Sequence, residues 1–415
     1  MNQALKKFPK IAPYLVCFTA ALFFAYELMQ MHMLNAIAPM LMNDLHLNAA
    51  SFGMLCSTYL LAAVLFLIPA GVILDKVSTR KVILSALILC VFGTFGFALA
   101  PTFKLACFSH FISGIGNAFC FLSCIILITR WFEPSKQALI IGLVITTGMI
   151  GGFLAQSPFS ALAEMLSWRN ALMVDGFIGV AILALVALFV HDKQGEEQSK
   201  HSSIGFFEGL KLSFLNKQNI ACGLYVSFMN MPLMIIGAVY GSLFLTRVHH
   251  ISLTQSSFVI SMICMGTIVG SPLFGHLGDT GNKKRWMTFG SIFSIATFLT
   301  IMYSSSMSMF TLIALFFLLG FFTSSQVLGY PLITENASPD LTGTSTSVAA
   351  VIIMGLPMFL GPLAGAIMDH FSRTVDGVQF FPTESFMVAF LIFPVGFLIA
   401  LLLLPIIKEK ATSIA

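Results

Sequence analysis

Glu27 is the residue of this sequence with the clearest chemical potential. It sits in a long apolar run, well past Pro13, with no basic residue within reach in sequence. A carboxylate there loses the hydration that its charged form needs, so the neutral form is favoured. Acids at membrane depth commonly take up and release protons. Packing offers the other reading: a protonated glutamic acid donating one hydrogen bond to a neighbouring helix. Gln30 falls about 60° to one side of Glu27 on a helix and Asn35 about 80° to the other, so all three can share a face. His32 lies about 140° away and is expected to meet a neighbouring helix. Further polar groups interrupt later apolar runs: His110 with Ser113 and Asn117, then Asn230 and Tyr240, then Gln326 and Tyr330. Each can line a pathway or simply bond between helices. Asp175 follows Arg169 closely, which predicts a structural pair or cap. Glu335 precedes Asn336 and a Pro339-Asp340 turn, so it is expected to touch water.

Other chemistries find little support. The sequence has no G-x-x-x-x-G-K-[ST] phosphate loop and no H-E-x-x-H zinc motif. An enzyme is therefore not expected, and no nucleotide-driven motor is present in the sequence. The eight cysteines all fall in apolar runs without a C-x-x-C pair, which reads as small apolar packing. Met29, Met31 and Met33 flank His32, and thioether with imidazole suits Cu(I). Met31 and Met33 lie about 200° apart on a helix, so they cannot share a ligand face. Neither a metal nor a cofactor is expected.

The elements that would position these groups follow from composition. Apolar types make up 58% of the 415 residues and charged types 9%; the mean hydropathy is +0.94. Soluble domains carry about 25% charged residues. The balance excludes a soluble enzyme, a disordered tail and a nucleic-acid-binding domain, and makes the lipid bilayer the main solvent. The net charge of +4 gives no reason to expect a polyanionic partner. Twelve apolar segments are long enough to cross as helices: 13–40, 50–74, 81–100, 104–129, 137–161, 169–190, 219–245, 253–277, 285–304, 307–331, 341–368 and 384–407. The first resembles a signal peptide after Lys6, Lys7 and Lys10, but it is too long, and Pro39 follows the small residues directly. It is expected to be retained as a span. With the N-terminus inside, all of the 21 Lys and Arg except Lys104, Arg169, Arg247 and Arg373 fall on the inner side. That bias predicts cytoplasmic termini.

The polar gap 191–218 splits the chain into 1–190 and 219–415. Its stretch 203–215 predicts either a short interfacial helix or a solvated linker. The halves repeat each other. One constant offset carries Gly71 onto Gly275, Asp75 onto Asp279, Arg80 onto Lys284 and Lys81 onto Arg285. The same offset carries Gly151 onto Gly355, Pro158 onto Pro362 and Arg169 onto Arg373. Two parallel six-helix repeats are the logic of a transporter.

The stretch GVILDKVSTRK at 71–81 closely resembles the loop signature of the major facilitator superfamily, and GHLGDTGNKKR at 275–285 is similar to its second copy. The resemblance covers nearly the whole chain. It implies an all-α integral membrane fold of two pseudo-symmetric six-helix bundles. It also implies a cytoplasmic gate built from Gly71, Asp75, Arg80, Lys81, Arg130, Gly275, Asp279, Lys284 and Arg285, with Asp75 meeting the helix start near Gly343–Thr344. The family's first, fourth, seventh and tenth helices line the cavity, so the resemblance makes Gln30, His32, Asn35, His110, Asn117, Asn230, Tyr240, Gln326 and Tyr330 the substrate-binding candidates. A narrower resemblance, on FFAYE at 23–27, SGIGNAF at 113–119, Trp131-Phe132 and Ser167-Trp168-Arg169, is to phagosomal nutrient transporters of intracellular Gram-negative bacteria. That branch imports amino acids and nucleosides. His110 stands where its fourth-helix arginine is expected, so a substrate carboxylate would lack a bidentate partner.

These readings converge on a proton-coupled importer of a small polar organic nutrient, working by alternating access with Glu27 as the coupling group. The expected setting is the bacterial inner membrane, the expected state a monomer, and the only partners a small-molecule substrate, protons and lipid. The alternatives are a proton-antiport exporter of small molecules, of siderophore- or metal-related solutes among them, and a transport-dead sensor or partner subunit. Exporters of the superfamily carry a G-x-x-x-G-P-x-x-G-G stretch in the fifth helix. Here Gly148, Gly151 and Gly152 are present but Pro158 stands further on, which argues against export.

Overall fold

The computed structural model describes residues 11–132, 134–192, 206–279, 282–304, 307–337, 341–375 and 378–409. The chain is helical apart from a hairpin of β1 (Arg373–Val375) and antiparallel β2 (Val378–Phe380), which the sequence reading did not anticipate. The helices of the first half are α1 (Ala12–Ala36), α2 (Ala38–Asp44), α3 (Ala49–Lys76), α4 (Thr79–Ala98), α5 (Phe103–Trp131), α6 (Pro134–Leu154), α7 (Ser157–Leu166) and α8 (Trp168–Phe189). The second half has α9 (Phe206–Leu215), α10 (Lys217–Met231), α11 (Gly241–Val248), α12 (Leu253–Asp279), α13 (Lys283–Tyr303), α14 (Met309–Thr323), α15 (Gly329–Glu335), α16 (Thr342–His370), α17 (Thr383–Ala389) and α18 (Ile392–Leu403).

Among the described residues, eleven helical stretches are long and apolar enough to cross a membrane. α6 occupies the place of the fifth expected span. That span is not continuous over 137–161: the chain leaves helical geometry at Gln156 (φ −94°, ψ −107°) and restarts as α7, where Pro158 suits the first turn. The seventh span is continuous but changes pitch, with a π-helical stretch over Pro232–Tyr240 between α10 and α11. A 3₁₀ stretch, Ser324–Leu328, joins α14 to α15 in the tenth. The last span breaks between α17 and α18. The 203–215 stretch contains a helix, α9.

Local chemistry fixes several helix starts. Ser78, Thr102, Asn216, Asn282 and Ser308 each accept a hydrogen bond from a backbone N–H of the following first turn. Lipid offers no water to satisfy the remaining backbone groups, so long helices are the stable solution. Large apolar side chains stay exposed along them, such as Phe92, Phe177, Phe310 and Phe359. Surfaces of that kind suit lipid contact.

The chain forms two compact units. One comprises Met1–Ile37 and Thr58–Lys200, the other Ala38–Ser57 and His201–Ala415. In the first, α1 packs on α5 and α6, and α4 packs on α5 and α8. Its core includes Val16, Cys17, Phe23, Tyr26, Leu87, Cys90, Phe119 and Leu127. In the second, α12 packs on α14, α10 on α16 and α18, and α13 on α18. There the Asp369 carboxylate accepts from the backbone N–H groups of Ala49 and Ala50 at 2.9 and 2.7 Å, capping the start of α3.

Close approach in the first unit depends on Gly151 of α6. A Cβ there would lie 2.0 Å from the Ala25 carbonyl oxygen of α1. Gly355, its partner in the repeat, has nothing within 4 Å of the corresponding point. Gly151→Ala is therefore expected to destabilise the purified protein by about 1–3 kcal/mol, the usual cost of overpacking. Gly355→Ala should leave stability unchanged or raise it, since alanine is the better helix former by about 1 kcal/mol. Thermal unfolding of both variants in detergent checks this; equal midpoints would refute it.

Candidate functional site

Glu27 is fully buried in the first unit, and its nearest polar partner comes from α3. The Tyr59 hydroxyl lies 2.6 Å from Glu27 Oε2 and 2.9 Å from the Glu27 carbonyl oxygen. Tyr59 in turn accepts from the Asn117 amide of α5 at 3.3 Å. Glu27 Oε1 has no nitrogen or oxygen donor. It points at Gly116, where a Cβ would stand 2.1 Å away. The α5 backbone thus crosses directly over the carboxyl group, and glycine leaves it room in this position. Cys90 of α4 lies beside the same carboxyl group.

A second buried acid lies in the same unit. Asp175 of α8 is 1% exposed. The Gln30 amide of α1 is assigned as donating to its Oδ2, and Oδ1 has no donor. Gln30 Oε1 lies 3.1 Å from the Thr94 hydroxyl of α4, and the Tyr26 hydroxyl lies 3.3 Å from both Thr94 Oγ1 and the Asp175 carbonyl oxygen. The expected pairing of Asp175 with Arg169 is not present. Arg169 stacks over Trp168 and donates to the carbonyls of Ala98 and Ala100 at 3.1 and 2.8 Å.

Glu27, Gln30 and Asn35 are all fully buried, yet they do not converge. Each is engaged by a different neighbour: Tyr59 for Glu27, Thr94 and Asp175 for Gln30, and Gln156 at 2.9 Å for Asn35. The reason is crowding: α1 is surrounded by its neighbours, so its polar positions are met one at a time. Gln156 is also the residue at the α6–α7 break. His32 is 2% exposed, like the rest of its turn. His110 is packed between the rings of Tyr59 and Phe97, with centroids 5.1 and 5.4 Å away.

In the second unit, the Gln326 amide donates to Asn230 Oδ1 at 3.3 Å, while Gln326 Oε1 has no partner. The Tyr240 hydroxyl is buried, 2.8 Å from the Ala49 carbonyl and 3.1 Å from that of Gly361. Tyr330 is exposed.

The expected gate residues divide. The side-chain positions of Gly71, Asp75 and Asp279 fall outside the described residues, as does that of Gly343. Arg80 donates to the Ala187 carbonyl at 2.7 Å, and Ser78 bonds Asp192, so the loop after α3 is tied to the end of α8. Arg130 donates to Thr79 Oγ1 at 3.0 Å. Lys81 is exposed, and Gly275 is in open space. At the second copy, Glu409 accepts from the backbone N–H groups of Lys283 and Lys284, a favourable place for a carboxylate at a helix start. Lys283 pairs with Glu335 at 2.9 Å, while Arg285 is exposed beside Trp286. Glu335 is thus engaged in an ion pair and only partly exposed, with its Oε2 buried, rather than standing open to water.

Sequence reasoning missed Tyr59, Thr94 and the contacts that Asp175 makes with α1. Tyr59 is a single tyrosine in an apolar run of a helix that the family pattern does not put in the cavity. Only the three-dimensional packing brings it to Glu27.

The Tyr59–Glu27 contact makes a measurable prediction. Tyr59→Phe removes the hydroxyl and leaves a buried carboxyl group without that partner, which should cost about 1–3 kcal/mol. Replacing both partners with apolar groups should recover part of the loss, so the double variant Tyr59→Phe/Glu27→Leu should cost less than the sum of the single variants. Thermal melts of the four proteins measure the coupling. Strict additivity would mean the contact contributes nothing.

Comparison with known proteins places this architecture. The model of the Major Facilitator Superfamily matches residues 18–362 and 220–414. The uncharacterized MFS-type transporter YceJ of Bacillus subtilis (strain 168) is 20% identical over 82% of this chain and 84% of its own length. The hexuronate transporter of the same organism is 23% identical, over 39% of each chain. A putative proline/betaine transporter of Staphylococcus aureus (strain COL) is 23% identical over 63% of this chain and 60% of its own. Among solved structures, a point mutant of the nucleoside transporter NupG superposes with TM-score 0.77 at 14% identity, over 96% of this chain and 100% of that one. A bacterial homolog of the human lysosomal transporter Spinster gives 0.75 at 17%, over 96% and 98%. The chain belongs to the major facilitator superfamily: it is a multi-pass secondary transporter and not an enzyme.

Proposed function

We propose that this transporter is a proton-coupled symporter importing a small polar organic nutrient of the amino-acid or nucleoside type, with Glu27 as the proton carrier. The observation that carries the reading is Glu27 itself. It is fully buried, a single tyrosine hydroxyl reaches its carboxyl oxygens, and no basic residue bonds it. A buried acid without a counter-charge is stable as the neutral form and costly as the anion. Such a group takes its proton where water reaches it and carries it where water does not. In this reading residues 1–190 and 219–415 are the two halves that alternate access, joined by 191–218, with both termini cytoplasmic in a bacterial inner membrane. The motif residues at 71–81 and 275–285 close the cytoplasmic side, and the protein acts as a monomer. Gln326, with its unpartnered Oε1, is the substrate-binding candidate of the second unit with hydrogen-bonding capacity to spare, and Asn230 accepts from its amide. The similar proteins reported above support a small polar organic solute, since hexuronate, proline/betaine and nucleoside transporters are named for such solutes.

The test begins with a screen of amino acids and nucleosides by thermal stabilisation, where a ligand at 100 times its Kd adds about 2.7 kcal/mol. Glu27→Gln mimics the protonated group. It should insert normally, bind the ligand found and still exchange it across a proteoliposome membrane. Accumulation driven by a proton gradient should be lost. Uphill uptake by Glu27→Gln at wild-type rates would overturn the assignment and leave Glu27 a packing residue.

A further inference from the structure

The first unit contains a buried acid that the coupling reading leaves unused. Asp175 sits about 10 Å, or seven residues, into α8 from Trp168. Its side chain is 1% exposed, and its Oδ1 has no hydrogen-bond partner. Among the described residues, the titratable groups packed around it are Tyr26 of α1 and Cys90 of α4. Neither is cationic. Arg169, on the same helix, is turned to the carbonyls of Ala98 and Ala100. Glu27 and Asp175, the two buried acids among the described residues of this unit, therefore both lack a cationic partner.

The chain of bonds leading from Asp175 has two self-consistent arrangements. In the first, Gln30 donates its NH₂ to an Asp175 carboxylate, and Gln30 Oε1 accepts from the Thr94 hydroxyl at 3.1 Å. The Thr94 hydroxyl has one proton, so it then cannot bond the Cys90 carbonyl that lies 2.9 Å away. In the second, the Gln30 amide is turned over, and the oxygen and nitrogen of an amide differ only by assignment. A neutral Asp175 then donates its O–H to Gln30 Oε1. The Gln30 NH₂ donates to Thr94 Oγ1, and the Thr94 hydroxyl donates to the Cys90 carbonyl. The second arrangement satisfies the acid proton, the amide and the Thr94 hydroxyl at once, with no buried charge.

We propose that Asp175, read out by Gln30 and Thr94, is a second proton-binding site of this transporter, and that a rotation of the Gln30 amide accompanies loss of its proton. This deepens the proton-coupled reading above, because it gives the unit two protonatable acids on adjacent networks that share α1 and α4. No atom is transferred other than the proton, which leaves Asp175 for water and returns from it.

Infrared difference spectroscopy on the protein in proteoliposomes tests this without a substrate. A protonated carboxylic acid has a carbonyl stretch distinct from that of a carboxylate. The wild-type protein at neutral pH should show two such components. Asp175→Asn, which keeps the shape and an amide able to pair with Gln30, should remove one; Glu27→Gln should remove the other. Gln30→Met should shift the Asp175 component and leave the Glu27 component in place, which a purely structural Asp175 would not do. An unchanged acid carbonyl signal in Asp175→Asn overturns the second site. So does a wild-type Asp175 component that Gln30→Met fails to move. The Glu27 reading stands or falls separately, on uphill uptake by Glu27→Gln. Should Asp175→Asn fold poorly, isotope-edited spectra of wild-type protein labelled at aspartate carboxyl carbons give the same answer: the acid band either moves with the label or does not.

Discussion

A carboxyl group enclosed by apolar helices must find strong donors or keep its proton, and the first unit is arranged around two such groups. Hydration of a carboxylate is worth far more than any single neutral hydrogen bond can return. Tyr59 supplies one hydroxyl to Glu27, and Gln30 supplies one amide to Asp175. Neither acid has a cation. Several features follow from that shortage. A side chain at position 116 would displace the Glu27 carboxyl group, whose Oε1 lies 2.1 Å from where a Cβ would stand. The Thr94 hydroxyl stands within reach of both Gln30 Oε1, at 3.1 Å, and the Cys90 carbonyl one helical turn back, at 2.9 Å, with a single proton to share between them.

The same arrangement orients the first helix. Glu27, Gln30 and Asn35 are bonded by α3, by α4 with α8, and by the α6–α7 break. Three polar side chains pulled in three directions fix the rotation of α1 about its axis, which its apolar residues alone would leave loosely specified. Its hydrophobic faces are nearly equivalent, since buried residues occur all round the helix. Helices in lipid lack the hydrophobic drive that orients a helix in water, so small-residue contacts and polar pairs take over. Gly151 against Ala25 and the pairs just named are the two kinds side by side.

Much of the architecture was legible in the sequence, because lipid imposes a strong constraint on the number and length of apolar runs. The helix starts at Ser78, Thr102, Asn216 and Ser308 follow from ordinary capping chemistry. The interruptions were harder to read. Pro158 signals a helix start as readily as a kink, and the sequence could not tell that Gln156 would leave helical geometry. The site was legible to the extent that one residue stands out: Glu27, an acid in an apolar run. Its partner was not, because Tyr59 is distant in sequence and chemically ordinary. Asp175 was misread because Arg169 is near in sequence, whereas in space the arginine turns to the carbonyls of Ala98 and Ala100. Proximity along a helix is a poor guide where unsatisfied carbonyls compete for the same donor.

The repeat sharpens the meaning of the buried acids. The offset that superposes the motif copies also carries α1 onto the stretch from α10 through the π-helical segment, with matching ends at Ala36 and Tyr240. It carries Gly116 onto Gly320, and both glycines serve a close approach. A Cβ at Gly116 would meet Glu27 Oε1 at 2.1 Å, and one at Gly320 would meet the Ile263 carbonyl oxygen at the same distance. The skeleton of the two halves is thus shared at this crossing, but the chemistry is not. Glu27 corresponds to Met231, Gln30 to Met234, Tyr59 to Ile263 and Asn117 to Phe321, all apolar. The second half builds its buried polar contacts elsewhere, as in Tyr225 with Ser325 and Ser291, so packing alone does not call for a carboxyl network at this crossing. Confinement to one half is what the proposed proton-carrying role of Glu27 predicts.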